Sequence, residues 1–271
     1  MKKSFEEYFK SDRRIIDRAL LGHLNKERSA SGEILEAMKY ALFPGGKRLR
    51  PILCLEASRA CGGKIKDAVP AACAIEFIHN FSLIHDDLPS MDDDDYRRGK
   101  PAVHIKFGEG LAVLSGDALL NLAFMALSDM KDSFNFKRIC RIISSSVGLN
   151  GMIGGQALDI KYAERKKNPM ESKINNLKTA AFFEASLASG AVSASASSSE
   201  IKAVSVFGTL FGQAFQICDD ILDKKYKRDN LNAKKTQFRK LLAQAGKKID
   251  IFKSQADNLR FIIDKLESKI F

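Results

Sequence analysis

The sequence predicts an all-α fold in which many helices pack around one core. Apolar residues recur at helical spacing, as at Ile15, Ile16, Ala19 and Leu20. The chain has only 6 prolines, and we expect each of them in a loop or at a helix end. Alternating apolar and polar residues are nearly absent, and no turn pair flanked by such residues indicates a β-hairpin. Together these observations favour helices packed on helices.

The predicted helices follow one another with short connections. The second carries Ile34, Leu35, Met38 and Leu42 at the same spacing as the first. Later stretches that are rich in Ala, Leu and Phe and long enough for buried helices lie at 111–130, 174–194 and 201–222. The Ser/Ala-rich segment 193–199 is predicted to be a turn between two of them. The lysine-rich end of the chain predicts helices on the surface.

A length of 271 residues and a hydrophobic content of 45% predict one globular domain over residues 1–271. Its part from 224 to 271 is atypically rich in lysine. The formal net charge of +11 indicates an anionic partner, such as nucleic acid, a lipid surface or a phosphorylated small molecule. The chain has no tryptophan and no RNA-binding motif, so we expect no nucleic-acid partner.

The cysteines and the N-terminus predict a cytoplasmic protein. The 5 cysteines form no Cys-x-x-Cys pair, which argues against a disulfide framework or a zinc ribbon and fits a reducing cytosol. Basic residues near the N-terminus are not followed by an apolar stretch, so no signal peptide is expected. The uncharged run 203–218 falls short of the ~18 apolar residues of a membrane span, so we expect no transmembrane segment.

Two clusters of aspartates each follow an apolar helical run. In the second cluster, Asp219 and Asp223 lie on the same face of a helix, with Asp220 beside them. Carboxylates this close repel one another unless a cation neutralises them, and Mg²⁺ prefers carboxylate oxygens. A solvated helix face is the alternative interpretation of this spacing.

The first cluster has a pair of aspartates and then a run of them, namely Asp86, Asp87, Asp92, Asp93, Asp94 and Asp95. Pro89 must end or kink the helix, which could bring Asp92 back beside Asp86. Arg97 and Arg98 follow directly, and acids for a metal next to arginines for phosphate suit a metal–diphosphate complex. An exposed run of charges is the alternative interpretation.

A segment rich in glycine and cations, GGKRLRP at 45–51, is the basic counterpart of these clusters. Its glycines free the backbone for close approach to an anion, while Lys47 and Arg50 offer charged donors. It lacks the spacing of a Walker A loop, so nucleotide binding is not indicated, and an ordinary interhelix loop is the alternative. His79 lies about two helical turns before Asp86, where a lone histidine is more often structural.

In their order along the chain, these motifs resemble those of the trans-polyprenyl diphosphate synthases, in particular the bacterial farnesyl diphosphate synthase branch. The resemblance rests on GGKRLRP (45–51), HNFSLIHDDLPSMDDDDYRRGKP (79–101), GGQALD (154–159), KTA (178–180) and FQICDDILD (215–223). It implies an isoprenoid synthase-like bundle of helices around a deep central cavity. It also implies a homodimer.

The resemblance implies a site in which three Mg²⁺ ions bridge both aspartate clusters to the diphosphate of an allylic substrate, with Mn²⁺ able to substitute. The matching metal ligands are Asp86, Asp87, Asp92, Asp219, Asp220 and Asp223. The residues matched to catalysis are Asp86, Asp87, Asp92, Arg97, Lys178, Thr179, Gln216 and Asp219.

The implied substrates are isopentenyl diphosphate and an allylic diphosphate, either dimethylallyl or geranyl. The residues matched to substrate binding are Gly46, Lys47, Arg50, His79, Arg97, Arg98, Gln156, Lys178, Thr179, Gln216 and Lys235. The implied reaction is ionisation of the allylic substrate, condensation and loss of a proton, which gives farnesyl diphosphate. Phe81, with the small Ser82 beside it, matches the cavity floor that sets chain length.

The sequence departs from the family after Asp223, where a shortened loop reads KKYKRDNLNAKKTQF. Lys234 or Lys235 is the candidate replacement for the family's second loop lysine. The alternatives are a geranyl or geranylgeranyl diphosphate synthase, a terpene cyclase and a non-catalytic partner subunit. The second aspartate cluster and the segment 45–51 disfavour the cyclase, because a cyclase needs no site for a second diphosphate.

Overall fold

The computed structural model describes residues 5–27, 31–43, 46–162 and 170–271. Within these ranges the chain is almost entirely helical, which confirms the predicted all-α class. Pro44, Gly45 and Pro169 lie outside the described residues. The chain forms two compact units, and the single domain expected over 1–271 stays a prediction.

The first unit comprises Met1–Ile52 and Val69–Asp132. Its elements are α1 (Phe5–Lys26), α2 (Gly32–Leu42), the start of α3 (Leu49–Ala60), most of α4 (Ile65–Asp86), β1 (Tyr96–Arg97), β2 (Lys100–Pro101), α5 (Val103–Phe107) and α6 (Glu109–Ser128). Helix α2 packs against α5 and α6. Ile16, Leu20 and Leu24 share one side of α1 and are fully buried, as helical spacing requires.

A buried arginine holds several parts of the first unit together. The Arg48 guanidinium donates to Asp17 Oδ1 at 2.8 Å and to Glu76 Oε1 at 2.6 Å. It also donates to the Leu42 carbonyl oxygen at 2.7 Å, and no part of its side chain is exposed. A buried charge needs such partners, so this arginine of the segment 45–51 serves folding rather than ligand binding.

The second unit comprises Leu53–Ala68 and Ser133–Phe271. Besides the rest of α3 and the start of α4, its elements are α7 (Ser133–Val147), α8 (Met152–Tyr162), α9 (Glu171–Asn175), a π-helical turn (Asn176–Ala180), α10 (Ala181–Ser193), α11 (Ser198–Leu222), α12 (Arg228–Lys248), a 3₁₀ segment (Asp250–Ala256) and α13 (Asp257–Glu267). Helix α10 packs between α7 and α11, and α11 also packs on α12. Among the described residues, α6 and α11 closely match the predicted stretches 111–130 and 201–222.

Small residues allow α11 to approach α10 closely. A Cβ atom at Gly208 would lie 2.7 Å from the Cα of Glu184. A Cβ atom at Gly212 would lie 2.7 Å from the Cα of Ala180. Because a real Cβ does not come this close to another backbone, a side chain at Gly208 would push α11 away from α10, and one at Gly212 would push it away from the π-helical turn.

The Ser/Ala-rich segment 193–199 connects α10 to α11, which confirms the predicted turn. Helix α11 begins with a capping box, in which the Ser197 hydroxyl accepts from the backbone N–H of Glu200. The Glu200 carboxylate accepts in return from the backbone N–H of Ser197 at 2.8 Å. Two donors that the helix leaves unpaired are thereby satisfied, which fixes where α11 starts.

Pro70 differs from the prediction, because it lies inside α4 rather than in a loop or at a helix end. It is the sixth residue of a helix that begins at Ile65, so its missing N–H removes a single intrahelical hydrogen bond near the start. The boundary between the two units also falls here, between Ala68 and Val69.

A short β-hairpin also departs from the sequence prediction. Strands β1 and β2 pair antiparallel, with Tyr96 opposite Pro101 and Arg97 opposite Lys100. The two residues between them, Arg98 and Gly99, have φ values of 55° and 75°. Positive φ at both positions is the type I′ turn that joins two-residue hairpins. Arginine is uncommon at its first position, so the sequence did not signal the turn.

Two further predictions concern the cysteines and membrane spans. All 5 cysteines are free thiols in the structure. Within the described residues, α6 and α11 are long and apolar enough to cross a membrane. This criterion alone is weak evidence for a membrane span, because core helices of soluble proteins meet it too, and 44% of the apolar window of each helix is buried inside the protein.

Candidate active site

The first aspartate cluster lies in the first unit, where α4 ends. The helix stops at Asp86, and the chain turns back so that the Asp92 N–H donates to the Asp86 carbonyl oxygen at 2.9 Å. The Asp94 N–H likewise donates to the Asp87 carbonyl oxygen at 3.2 Å. Asp92 therefore lies beside Asp86, as the helix break at Pro89 predicted.

Asp87 is the buried carboxylate of this cluster, with 2% of its surface exposed. The Arg97 Nε donates to Asp87 Oδ1 at 2.8 Å, and Arg97 Nη2 contacts the same oxygen and Asp94 Oδ2. Burial raises the pKa of Asp87, and the hydrogen bonds from Arg97 oppose that rise. Asp94 belongs to this network although the family motif does not assign it. In the sequence, the signal for this contact is that Asp94 lies three residues before Arg97.

Cations surround His79 in the same unit. The guanidinium groups near it are those of Arg50, Arg98, Arg48 and Arg97. Burial, and then these charges, hold the pKa of His79 well below its ordinary value. The imidazole is therefore neutral at pH 7, and the positive potential that keeps it neutral suits an anionic ligand.

The basic segment meets the hairpin turn at Arg98. A Cβ atom at Gly46 would lie 3.0 Å from three atoms of the Arg98 guanidinium. Glycine at this position therefore lets the guanidinium lie against the backbone. Lys47 is exposed next to it. The structure thus brings together Gly46, Lys47 and Arg98, three of the residues matched to substrate binding.

A small cavity of about 50 Å³ adjoins this region in the first unit. Its lining includes the side chains of Asn80, Asp87, Arg97, Arg98 and Tyr40. The carboxylate of the first cluster and both arginines of the hairpin therefore border the same space. The cavity therefore has charges of both signs along a lining that is otherwise mostly apolar.

The π-helical turn of the second unit carries Lys178 and Thr179. Such turns occur frequently at functional sites. A Cβ atom at Gly155 would lie 2.7 Å from the backbone nitrogen of Lys178, so this glycine lets α8 approach the turn. The Lys178 ammonium lies 3.0 Å from Asp159 Oδ2. Asp159, at the end of the GGQALD segment, is a partner that the sequence analysis did not assign.

Gln216 connects this turn to the second aspartate cluster. The Thr179 hydroxyl donates to Gln216 Oε1 at 2.8 Å, and Gln216 Nε2 donates to Asp220 Oδ1 at 3.1 Å. Asp220 is 5% exposed, and two residues of the following loop also contact it. The Lys225 ammonium lies 3.2 Å from Oδ1, and the Tyr226 hydroxyl donates to Oδ2 at 3.0 Å. Burial raises the pKa of Tyr226, so its hydroxyl stays a donor at pH 7.

The other aspartates of the second cluster lie at the end of α11. This helix ends at Leu222, and the Asp223 N–H donates to the Asp219 carbonyl oxygen at 2.9 Å. The two residues are therefore one helical turn apart, as their spacing predicted.

Gln156 is buried on α8 with 8% of its surface exposed. Neither its amide oxygen nor its amide nitrogen has a hydrogen-bond partner among the described residues. A buried amide without partners costs free energy, so its position is best explained if a ligand supplies them. The place of Gln156 near the substrates stays a prediction.

The predicted chain-length residues lie on α4, ahead of the first cluster. Phe81 is buried, and its ring packs edge-on against the ring of His85 at 5.3 Å between centroids. The Ser82 hydroxyl donates to the His79 carbonyl oxygen at 3.0 Å, so its polar group is satisfied within the helix. The role of Phe81 as a cavity floor stays a prediction.

The two candidate lysines of the C-terminal part point to different neighbours. The Lys235 ammonium lies 5.5 Å from the centroid of the Phe271 ring. The Lys234 ammonium lies 5.0 Å from the Tyr226 ring centroid and lines a cavity of about 200 Å³ that also borders Gln216. The structure therefore places Lys234, rather than Lys235, beside the second cluster.

Comparison with known proteins agrees with this geometry. A family model described as polyprenyl synthetase matches residues 31–237. The chain belongs to the polyprenyl synthetase family. The match covers the basic segment, both aspartate clusters and the π-helical turn, so each part of the candidate site lies within it.

This polyprenyl synthetase is similar in sequence to known prenyl diphosphate synthases. The farnesyl diphosphate synthase of Bacillus subtilis (strain 168) is 37% identical over 267 residues, which are 93% of this chain and 90% of that protein. The chloroplastic large subunit 1 of a heterodimeric geranylgeranyl pyrophosphate synthase of Arabidopsis thaliana is 45% identical over 200 residues, or 70% of this chain. That match spans only 54% of the plant protein.

The fold is also similar to solved structures. The crystal structure of an FPP/GFPP synthase from Zymomonas mobilis superposes with a TM-score of 0.87 at 35% identity, and the match covers 96% of this chain and 95% of that one. A geranyltransferase from Legionella pneumophila gives a TM-score of 0.88 at 29% identity over 98% of this chain and 95% of that one. These neighbours support an isoprenoid synthase-like fold for this polyprenyl synthetase.

The aspartates of this polyprenyl synthetase fit a hard divalent cation. Their carboxylates offer oxygen atoms, which Mg²⁺ prefers as ligands. Each of the two buried carboxylates, those of Asp87 and Asp220, also forms an ion pair with a cation of the protein. The partner of Asp87 is Arg97, and the partner of Asp220 is Lys225. Among the described residues, no three metal-binding side chains converge on one point.

Proposed function

We propose that this polyprenyl synthetase condenses isopentenyl diphosphate with dimethylallyl or geranyl diphosphate to give farnesyl diphosphate. The observation that supports this best is the neutral His79 among guanidinium groups, in the same unit as the first aspartate cluster. Cations alone suit any anion, whereas cations next to buried carboxylates suit a diphosphate that arrives with a divalent metal.

The residues that would hold Mg²⁺ are Asp86, Asp87, Asp92, Asp219, Asp220 and Asp223. When bound, Mg²⁺ supplies Lewis-acid stabilisation of the leaving diphosphate. Lys178 and Thr179 bind the allylic diphosphate, and Gln216 orients Thr179 through the hydrogen bond between their side chains. In the first unit, Arg97 supplies a positive charge beside the first cluster, where its Nε donates to Asp87 Oδ1 at 2.8 Å.

Lys47, Arg50 and Arg98 bind the diphosphate of isopentenyl diphosphate, with His79 as a neutral donor beside them. The allylic C–O bond breaks with its electron pair on the diphosphate, and the alkene of isopentenyl diphosphate forms the new C–C bond. One proton then leaves, and the released diphosphate accepts it. The protein contributes orientation, charge stabilisation and exclusion of water, and no covalent nucleophile is required.

The test is an assay with labelled isopentenyl diphosphate, Mg²⁺ and either allylic primer, followed by dephosphorylation and sizing of the products. A fifteen-carbon product that disappears with EDTA supports the proposal. The variant Asp87→Asn should lose nearly all activity. Asp264→Asn, a matched change at an exposed position of α13, should keep it. The absence of product from a folded chain with both primers would refute catalysis and favour a non-catalytic partner subunit.

Phe81 is proposed to limit the product to fifteen carbons, because it is buried on α4 ahead of the first cluster. The variant Phe81→Ala should lengthen the products. Phe77→Ala is the matched control, since it makes the same truncation one turn earlier on the same buried helix. An unchanged product spectrum in Phe81→Ala, or equal lengthening in both variants, would contradict the floor assignment.

A geranylgeranyl diphosphate synthase is the second candidate, because the plant relatives carry that name. In that case the unaltered chain gives a twenty-carbon product from the same assay. This result would keep the condensation mechanism and remove Phe81 as the limit on length. A ten-carbon product would instead identify a geranyl diphosphate synthase.

We also propose that the chain acts as a cytoplasmic homodimer. Val113, Leu114, Phe124 and Met125 lie on one face of α6 and are exposed. Because an apolar stripe in water favours association, a second copy of this face is the proposed occupant. Sedimentation should give twice the chain mass, and Phe124→Glu should give the monomer. A monomeric unaltered chain would refute the assembly.

A further inference from the structure

The loop after the second aspartate cluster returns directly to that cluster. Lys224 has a φ of 57°, its N–H donates to the Ile221 carbonyl oxygen at 3.1 Å, and the Lys225 N–H donates to the Asp220 carbonyl oxygen at 3.0 Å. This pattern is a Schellman motif, with a lysine at the position that is usually glycine. It reverses the chain within two residues. The next two side chains are thereby brought against the last turn of α11.

Both of these side chains contact the same carboxylate. The Lys225 ammonium lies 3.2 Å from Asp220 Oδ1, and the Tyr226 hydroxyl donates to Oδ2 at 3.0 Å. Gln216 Nε2 is the third donor, at 3.1 Å from Oδ1. A carboxylate has about four lone-pair positions, so these donors leave about one. A metal ion that binds Oδ1 must also approach the Lys225 ammonium, and the two positive charges repel each other.

The three donors differ in how easily they can leave. The Lys225 side chain is 61% exposed, so its ammonium can move into water without crossing the protein. Gln216 is fixed at its other end by the hydroxyl of Thr179. The Tyr226 ring is partly buried, with the Lys234 ammonium 5.0 Å from its centroid. The Lys225 ammonium is therefore the donor that can leave Asp220 most easily.

We propose that Tyr226 is a positioning residue for Asp220 and that Lys225 is a tethered cation which a divalent metal displaces. This rests on the proposed function, because it takes Asp220 as a metal ligand. The tyrosine hydroxyl stays on Oδ2 and holds the plane of the carboxylate, while Oδ1 becomes available when the lysine leaves. Two side chains of the shortened loop thus act on one metal ligand.

Two substitutions should change metal affinity in opposite directions. Lys225→Gln removes the competing charge from a mostly exposed pair, so divalent-ion affinity should rise about threefold. Tyr226→Phe removes the hydrogen bond that orients the carboxylate, so affinity should fall about tenfold. Lys224→Gln is the matched control, since it removes the same charge from the adjacent exposed residue. It should leave the affinity near that of the unaltered chain.

The experiment is a titration of the purified full chain with Mn²⁺, in which the electron paramagnetic resonance signal reports the free ion. Asp220→Asn identifies the part of the titration that depends on this carboxylate. A melting temperature for each variant separates lost metal affinity from lost folding. A residue with only a structural role would change the melting temperature and leave the affinity of the folded protein unchanged.

The proposal is overturned if Lys225→Gln binds Mn²⁺ no more tightly than Lys224→Gln, or if Tyr226→Phe binds it as the unaltered chain does. Unchanged binding by Asp220→Asn overturns it as well. In each of these cases the unaltered chain can still form farnesyl diphosphate, so the proposed function stands. A chain that neither binds Mn²⁺ nor forms product refutes the proposed function, and this inference with it.

Discussion

Replacing Arg48 with methionine should lower the free energy of unfolding by about 3–5 kcal/mol, because it leaves a buried carboxylate without its cation. The Arg48 side chain is fully buried, and that of Glu76 is 1% exposed. After the change, Glu76 Oε1 would keep only the amide of Asn80, at 3.0 Å. The lost bond to Asp17 is partly exposed and adds at most about 1 kcal/mol.

The assay is urea unfolding followed by circular dichroism at one fixed protein concentration. Lys47→Met is the matched control, because it changes the exposed neighbour of Arg48 and should stay within about 0.5 kcal/mol. The double variant Arg48→Met, Glu76→Leu should recover part of the loss, since it removes both buried charges together. A loss below about 1 kcal/mol in Arg48→Met, or no recovery in the double variant, would refute the reasoning.

Three further predictions concern stability. Gly190→Ala should cost about 3 kcal/mol by urea unfolding, because its Cβ would lie 1.9 Å from the Cys54 carbonyl oxygen. Ser197→Ala should cost about 1 kcal/mol, since it removes the cap of α11. The hydrogen bonds of Ser197 lower the pKa of Glu200. The loss in the free energy of unfolding caused by Ser197→Ala should therefore be full at neutral pH and shrink as the pH falls through that lowered pKa. Lys224→Gly should raise the melting temperature and add about 1 kcal/mol, because glycine adopts positive φ without strain.

Much of the fold could be predicted from the sequence, because a helix depends on the spacing of apolar residues that are close together in the chain. The long helices α6 and α11 and the turn at 193–199 were predicted from residues near one another in the chain. The helix break before Asp92 was predicted for the same reason, since Pro89 acts on its immediate neighbours. The residues of the candidate site were matched through motifs, and their roles stay predictions.

The features that the sequence did not reveal depend on partners that are far apart in the chain or on unusual backbone conformations. The hairpin turn needs positive φ at Arg98, where arginine gives no local signal. The pairing of Lys178 with Asp159 joins two segments that only the packing of α8 on the π-helical turn brings together. Arg48 sits between two cations of one motif, and nothing in that motif shows that it alone is buried.

The two aspartate clusters solve the same electrostatic problem with different cations. In each, one buried carboxylate must be stabilised when no metal is bound, and the protein supplies the positive charge itself. Asp87 is held by Arg97, whose planar fork also reaches Asp94, so this cation is fixed by two acids. Asp220 forms its ion pair with the ammonium of Lys225, whose side chain is mostly exposed and can move into water. The first cluster should therefore keep its arginine in every state, while the second exchanges its lysine for metal.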